Sequence, residues 1–443
     1  HVGDEVVTFA SALRILESCP SLRLSVDLRG AVESATFGFS MADRTPYACT
    51  YRARPAEVIR FDGSAVERRL YFDWSTCGGT IPVNQETLCE LYQRFQAGID
   101  LRLDGRSPVR AFLSGGLDSR VVAASLAARG VPLVTYNMSW EGSLDRAIGR
   151  QFAARIRTDH REFVMPFDFQ GEDWPWKTAE ILRSELLAAG EGAESPPPVW
   201  AGEGGSVGVG RVFVSEPMLP PLRRNDVAGA ISKFLSANPA GAPGRSLRSG
   251  VRAWVDDIPR QAIREELLAV HPTEPGQRVF LFLLLNDQRR HTTGYFEDLD
   301  LNGVEYILPF YDAEFLSFSA AMQLDQCLYH RMYNRWTELF PAVVREVPWQ
   351  HYPGHQPSPA ALPGEGRSGW EMADPAVQAR RSRRLQRSMA LAASDAFPGE
   401  VVDWKRYRLQ LELHRRGLRD CSHLFEFTAH LERCWRVTHG RWV

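Results

Sequence analysis

Ser114-Gly115-Gly116-Leu117-Asp118-Ser119 joins a short apolar run, VRAFL (109–113), to a helical one, SRVVAASLAARG (119–130). Few junctions restrict a chain more. Paired glycines let backbone N–H groups turn inward around an anion, Ser114 and Ser119 add hydroxyl donors, and a helix N-terminus adds partial positive charge. Asp118 would repel an anion, so it makes sense as a Mg²⁺ ligand, the ion bridging a hard carboxylate oxygen to phosphate oxygens. The loop lacks the GK[ST] ending of a P-loop, which argues against a kinase or GTPase. A plain turn using its glycines for tight geometry is the simpler alternative. The embedded acid and the strand-to-helix context outweigh it.

The flanks extend the pattern. PLVTYNMSW predicts a second strand, LDRAIGRQFAARI a second helix and HREFVM a third strand, while VNQETLCELYQRFQAGI (83–99) has helical spacing. Strands alternating with helices at this spacing predict an α/β fold, a parallel sheet with helices on both faces. Residues 1 to about 75 instead show period-two runs (LRLSVDLRG, ATFGFSM, TPYACTYRA, AEVIRFDGSAVERRLYFDW) and predict a small antiparallel β-rich layer. ESPPPVWAGEGGSVGVGRVF reads as strand and Gly-rich loop, residues 238–246 as a linker, and RVFLFLLLNDQRR as helix. The aperiodic, Pro/Gly-rich stretch 348–369 predicts a mobile loop, whose Trp349 and Tyr352 either fold over a substrate or pack the loop down. After it comes a basic helix with Arg380, Arg381, Arg383 and Arg384, either a peptide grip or a solvated face.

At 443 residues the chain is too long for one core, and its organisation divides at 1–78 and 79–443, with a helical C-terminal part. A net charge of −2 excludes a generally nucleic-acid-binding protein, and no run of about 18 apolar residues exists to span a membrane. The seven cysteines form no CxxC pair, which fits a reducing cytoplasm better than a disulfide framework or zinc site. Of 52 basic residues only Lys177, Lys233 and Lys405 are lysine, which limits the sources of a catalytic ammonium.

With these residues in view, the chain resembles the asparagine synthetase branch of the ATP-pyrophosphatase group, nearest the β-lactam synthetases and lasso peptide macrolactam cyclases. SGGLDS is similar to that group's pyrophosphate-binding loop, RLYFDW to its linker into the synthetase domain, and LDRAIGRQFAARIRTDHREFVM to its helix followed by a His-x-Glu strand. AGEGGSVGVG stands where the family carries a GEGSDE-like loop, and VEYILPFYD (304–312) resembles V-E-x-R-x-P-F-L-D. The resemblance covers about residues 60–355 and implies an adenine nucleotide α-hydrolase-like synthetase domain after a degenerate glutaminase-like layer. It implies ATP and Mg²⁺ as cofactors, with Ser114, Gly115, Gly116, Asp118 and Ser119 on pyrophosphate and Mg²⁺. Leu113, Met138 and Gly202 would line the adenosine pocket, and Arg290 would bind phosphate. Glu305 would be the acid–base group near the incoming amine, with Glu203 close by.

Desolvation by YILPF would suit Glu305 to that role, a surface ion pair being the alternative, and Glu203 between glycines is the commoner loop-tip carboxylate facing water. Two positions depart from the family: Ser206 replaces a second Mg²⁺-binding aspartate, and PWQHYPG puts His351 or Tyr352 where the family has a late lysine. His1 is not the cysteine nucleophile of a glutaminase, so a substrate amine is favoured over hydrolysed glutamine. The expected activity is an AMP-forming ligase, in its specific form an intramolecular macrolactam cyclase on a lasso-type precursor peptide. Its partners would be a substrate carrying a carboxylate and an amine, and a leader-peptide-handling protein. An asparagine synthetase and an inactive ATP-binding scaffold are the alternatives.

Overall fold

The computed structural model describes residues 1–3, 6–63, 65–103, 105, 107–165, 174–190, 198–237, 246–288, 302–364, 385–393 and 401–441. The linker 238–245, Arg290 and the basic cluster Arg380–Arg384 lie outside the described residues. No helix among those described is long and apolar enough to cross a membrane.

Two helices open the chain, α1 (Leu13–Glu17) and α2 (Leu28–Phe37), followed by a hairpin of β1 (Glu57–Phe61) and β2 (Val66–Leu70). The hairpin is antiparallel, with Glu57 opposite Leu70 and Phe61 opposite Val66. This corrects the expectation of strands over LRLSVDLRG, ATFGFSM and TPYACTYRA, the last of which forms only isolated bridges at Tyr47 and Tyr51. Asp27 accepts the Gly30 N–H at 2.6 Å and starts a helix that runs to Gly38, which has φ 81°. A side-chain cap and a left-handed stop outweigh a few alternating leucines. The helix turns Ala31 and Val32 into a core shared with Tyr407, Leu411, Phe427 and Leu431 of the C-terminal helices Trp404–Arg415 and Ser422–Val437. It also buries Glu33, which accepts from Arg29 at 3.0 Å and pairs with Arg44 at 2.8 Å.

α3 (Gln85–Arg102) begins with a reciprocal cap, the Asn84 side chain accepting the Thr87 N–H and the Thr87 hydroxyl accepting the Asn84 N–H. It leads into β3 (Val109–Phe112), α4 (Leu117–Ala127), β4 (Leu133–Ser139), α5 (Leu144–Ile156) and β5 (Asp159–Val164). α6 (Trp174–Ala188), β6 (Val199–Trp200), a single turn α7 (Gly205–Gly208) and β7 (Tyr306–Ile307) complete the layer.

The five strands lie in the order β5-β4-β3-β6-β7, all parallel. Side-chain alternation sorts the two faces. Val109, Ala111 and Leu133 meet Leu91, Phe95, Val122 and Phe152 of α3, α4 and α5. Val134, Tyr136, Val199 and Tyr306 meet Ala179 and Leu182 of α6. The protein is therefore a mixed α/β molecule whose parallel sheet is flanked by helices on both faces.

From β3 the chain moves outward through β4 and β5, then returns to build β6 and β7 on the other side of β3. The strand order reverses at β3, and the carboxyl ends of β3 and its neighbour β6 open a crevice. In open α/β sheets that switch point is where ligands bind.

Candidate functional site

A cleft of about 370 Å³ occupies the switch point. The turn after β3 contributes Ser114, Gly116, Leu117, Asp118 and Ser119, and the turn after β6 contributes Ala201, Gly202, Glu203 and Ser206. A third wall comes from Trp349, Gln350, His351, Tyr352 and Gln356, with His330 behind them.

The loop after β3 is preformed. Its amides are held internally: Ser114 N–H donates to Ser119 Oγ at 2.9 Å, Gly116 N–H to Ser114 Oγ at 3.1 Å, and Gly115 N–H to Asp145 Oδ1 at 2.9 Å. This revises the expectation that the glycine amides are free to surround a phosphate. The donors left for an anion belong to the first turn of α4, whose N-cap Gly116 offers no side chain. Asp145, in the first turn of α5, also accepts from Gln350 Nε2 at 3.0 Å, and Gln350 N–H donates to Gly115 O at 2.9 Å. One carboxylate thus ties the loop to the third wall.

Arg120 supports the same loop from beneath. Fully buried, it donates from Nε to Gly116 O at 3.0 Å, from Nη1 to Val347 O at 2.6 Å and from Nη2 to Pro348 O at 2.6 Å. Its guanidinium lies 5.0 Å from the Phe152 ring and 5.6 Å from that of Trp349. Burial lowers its pKa to about 9, still charged at neutral pH.

The turns after β3 and β6 touch. A Cβ on Gly202 would sit 2.5 Å from Ser119 N, and one on Gly205 2.6 Å from Asp118 Cγ, so both positions require glycine. Across this contact Ser206 donates to Asp118, from N–H to Oδ2 at 2.8 Å and from Oγ to Oδ1 at 3.0 Å. Burial pushes the Asp118 carboxyl up to about 6 despite these donors. The buried Tyr333 hydroxyl lies close enough to Asp118 for each to perturb the other's ionisation. Glu203 is half-buried in the cleft wall, and burial together with the charge of Asp118 raises its carboxyl to about 7. It is not the solvated loop-tip acid anticipated from its glycine neighbours.

His330 reaches the cleft from a strained turn in which Tyr329 and His330 both adopt left-handed backbone, φ 58° and 60°. Its Nε2 lies 3.2 Å from Ser206 Oγ and its Nδ1 2.8 Å from His355 Nδ1. The Ser206 proton goes to Asp118, so Ser206 Oγ accepts from His330 Nε2–H, and His330 Nδ1 accepts from His355 Nδ1–H.

The remaining expected residues fall as follows. Gly115 is buried beneath the cleft surface and Leu113 is fully buried in the sheet core. Met138 packs at the α6 face. Neither Leu113 nor Met138 lines the cleft. Glu305 is exposed just before the edge strand β7, at the end of the sheet opposite the crevice, and its backbone C=O accepts the Val199 N–H at 2.8 Å. Lys405 is exposed on the helix Trp404–Arg415. The described part of 348–369 forms no helix or strand, and its first residues are the third wall of the cleft. Reading the sequence missed Asp145, Arg120, Gln350 and His330. Asp145 could have been found as an acid in the first turn of the helix after β4, whereas His330 carries no local signal.

The asparagine synthase family model matches residues 90–169, which run from within α3 through β5 and include the loop between β3 and α4. No curated protein matches the chain. The matched stretch is asparagine synthetase-like, similar to a family of ligases that use ATP.

Proposed function

We propose that the protein is an ATP-dependent, AMP-forming amide ligase. The observation that carries this reading is the junction of an uncapped helix N-terminus with two carboxyls of raised pKa at the switch point of a parallel sheet, inside the stretch similar to the asparagine synthase family.

The first turn of α4 and the hydroxyls of Ser114 and Ser119 would bind the phosphate end of ATP. A substrate carboxylate attacks the α-phosphorus and pyrophosphate leaves, giving an acyl-adenylate. An amine then attacks the acyl carbon, and AMP leaves. Glu203 is the carboxyl placed to take the amine's proton, since a pKa near 7 suits a base working at neutral pH. The role moves to Glu203 from Glu305, which faces solvent away from the cleft.

Mg²⁺ fits these residues. Asp118 offers hard oxygen beside the phosphate site, and the repulsion between Asp118 and Glu203 is what a divalent cation would relieve. No cluster of three metal-binding side chains occurs among the described residues, so phosphate oxygens would complete the coordination. When bound, the ion would neutralise charge on the departing pyrophosphate.

The finer form of the proposal is an intramolecular ligase joining a carboxylate and an amine of one peptide, as in the lasso-type macrolactam cyclases its motifs resemble. An attack within one molecule gains effective concentration. Incubation with ATP and a carboxylate substrate tests the reading: AMP and pyrophosphate are expected in equal amounts, and Asp118→Ala abolishes both. ADP and orthophosphate as products would refute it. A cyclic peptide product supports the finer form, and asparagine from aspartate and ammonia replaces it.

A further inference from the structure

The described lining of the cleft holds no fixed positive charge. Among the described residues that line it, Asp118, Asp145 and Glu203 are acids and none is lysine or arginine. The residues there able to become cations are two imidazoles, His330 and His351. A polyanion entering such a cleft meets unfavourable charge unless something in the wall changes state.

His330 and His351 belong to a cluster with His355. His330 Nδ1 and His355 Nδ1 share a proton at 2.8 Å, and the His330 ring stacks between Tyr333 at 5.7 Å and Tyr352 at 5.6 Å. Among the described residues His351 Nδ1, buried in the cleft wall, has no hydrogen-bond partner. Burial, with the charges of His355 and His351, holds His330 down to about 3, and burial with the charge of His351 holds His355 below its ordinary value. His330 and His355 therefore resist protonation. Negative charge brought alongside reverses that balance.

We propose that His330, His351 and His355 form a proton-accepting clamp for the phosphate groups of a bound nucleoside triphosphate, taking up a proton from solvent as the polyanion enters. The inference rests on the nucleotide reading above. The incoming proton adds to an imidazole nitrogen lone pair, no bond of the nucleotide breaks, and the proton returns to solvent when pyrophosphate leaves. His351 is the group named to receive it, because its Nδ1 is unsatisfied. Around the cluster, Tyr329 and Tyr333 come from the turn and helix that carry His330, with Glu216 and Arg331 reached through Tyr329. Ser206 comes from α7 with Asp118 beyond it, and Tyr352 from the third wall, where Asp118 and Glu203 act on it.

Titration calorimetry with ATP at saturating magnesium near pH 7, repeated in buffers of different ionisation enthalpy, counts the protons. Uptake of roughly 0.5–1 proton per nucleotide is expected for the native protein. His351→Gln and His355→Gln should at least halve the uptake and weaken binding about tenfold, with unchanged circular dichroism. His351→Lys, a fixed cation, should restore most of the affinity while removing the uptake. Tight binding with no dependence on buffer, uptake unchanged in both glutamine variants, or His351→Lys binding no better than His351→Gln would each overturn the clamp and leave the nucleotide reading standing. No binding at all by the native protein would overturn both.

Discussion

Ser206 meets both carboxylate oxygens of Asp118, its backbone N–H at 2.8 Å and its hydroxyl at 3.0 Å. At the position where the resemblance called for a second acid, the chain places a donor that solvates the first one. A second carboxylate there would repel Asp118, whereas serine offsets part of its burial. Ser206→Ala keeps the backbone bond and loses the other. Above pH 7, where Asp118 is ionised, the variant should be less stable by about 1–3 kcal/mol in urea denaturation. The deficit should shrink near pH 5, where the acid carries its own proton. An equal deficit at both pH values would show that the hydroxyl does not serve the charged carboxylate.

Replacing Glu203 separates the two half-reactions. Glu203→Gln should leave pyrophosphate release in the first turnover within a few-fold of native and slow amide formation by about 10²–10⁴, the usual contribution of a positioned base. Glu305→Gln, altering an exposed residue outside the cleft, should slow amide formation less. The reverse ranking would return the base role to Glu305.

The raised carboxyl of Glu203 also has a stability signature. Its folded pKa of about 7 exceeds the ordinary 4.5, so between these values the folded state holds more protons than the unfolded one. Stability therefore falls as pH rises through that window. Glu203→Gln removes this term, so the variant should gain on the native protein by about 1–3 kcal/mol between pH 4.5 and pH 7.5. Melting curves of both proteins across that range provide the check, and a constant difference would mean that Glu203 titrates normally. In the same window the amide-forming rate of the native protein should rise with pH as Glu203 loses its proton.

Arg120 tests how far the third wall depends on the loop. Arg120→Met leaves Gly116 O, Val347 O and Pro348 O without their donor and should destabilise by about 2–5 kcal/mol. The KM for ATP should rise as Trp349–Tyr352 loses its registration to the cleft. Arg120→Lys, which keeps the charge and loses the planar fork, should fall between. A native melting temperature in Arg120→Met would show that the carbonyls find other partners.

The sheet and the loop between β3 and α4 were legible in the sequence because their signals are local. Glycine pairs, an acid in a helix's first turn and alternating strand and helix periods all act within a dozen residues. The amino-terminal layer was legible only at its hairpin, since α2 is set by the Asp27 cap and by Glu33 meeting Arg44, a contact no periodicity encodes. In the site, Ser114, Gly116, Asp118, Ser119, Gly202, Glu203 and His351 could be named from motif position and do line the cleft. His330 arrives through a left-handed turn and meets Ser206, 124 residues earlier in the chain. Glu305 illustrates the opposite failure, because motif order fixes where a residue falls along a strand and not which end of the sheet it serves.

Arg120 holds residues 344–348 by their carbonyl oxygens alone, and every amino acid presents the same carbonyl. Descendants of this chain are free to rewrite that stretch without any compensating change at 120, so the two would drift apart with no record of their dependence. The arginine itself has no such freedom. A search for correlated mutations would pass over the bond that keeps one wall of the cleft upright.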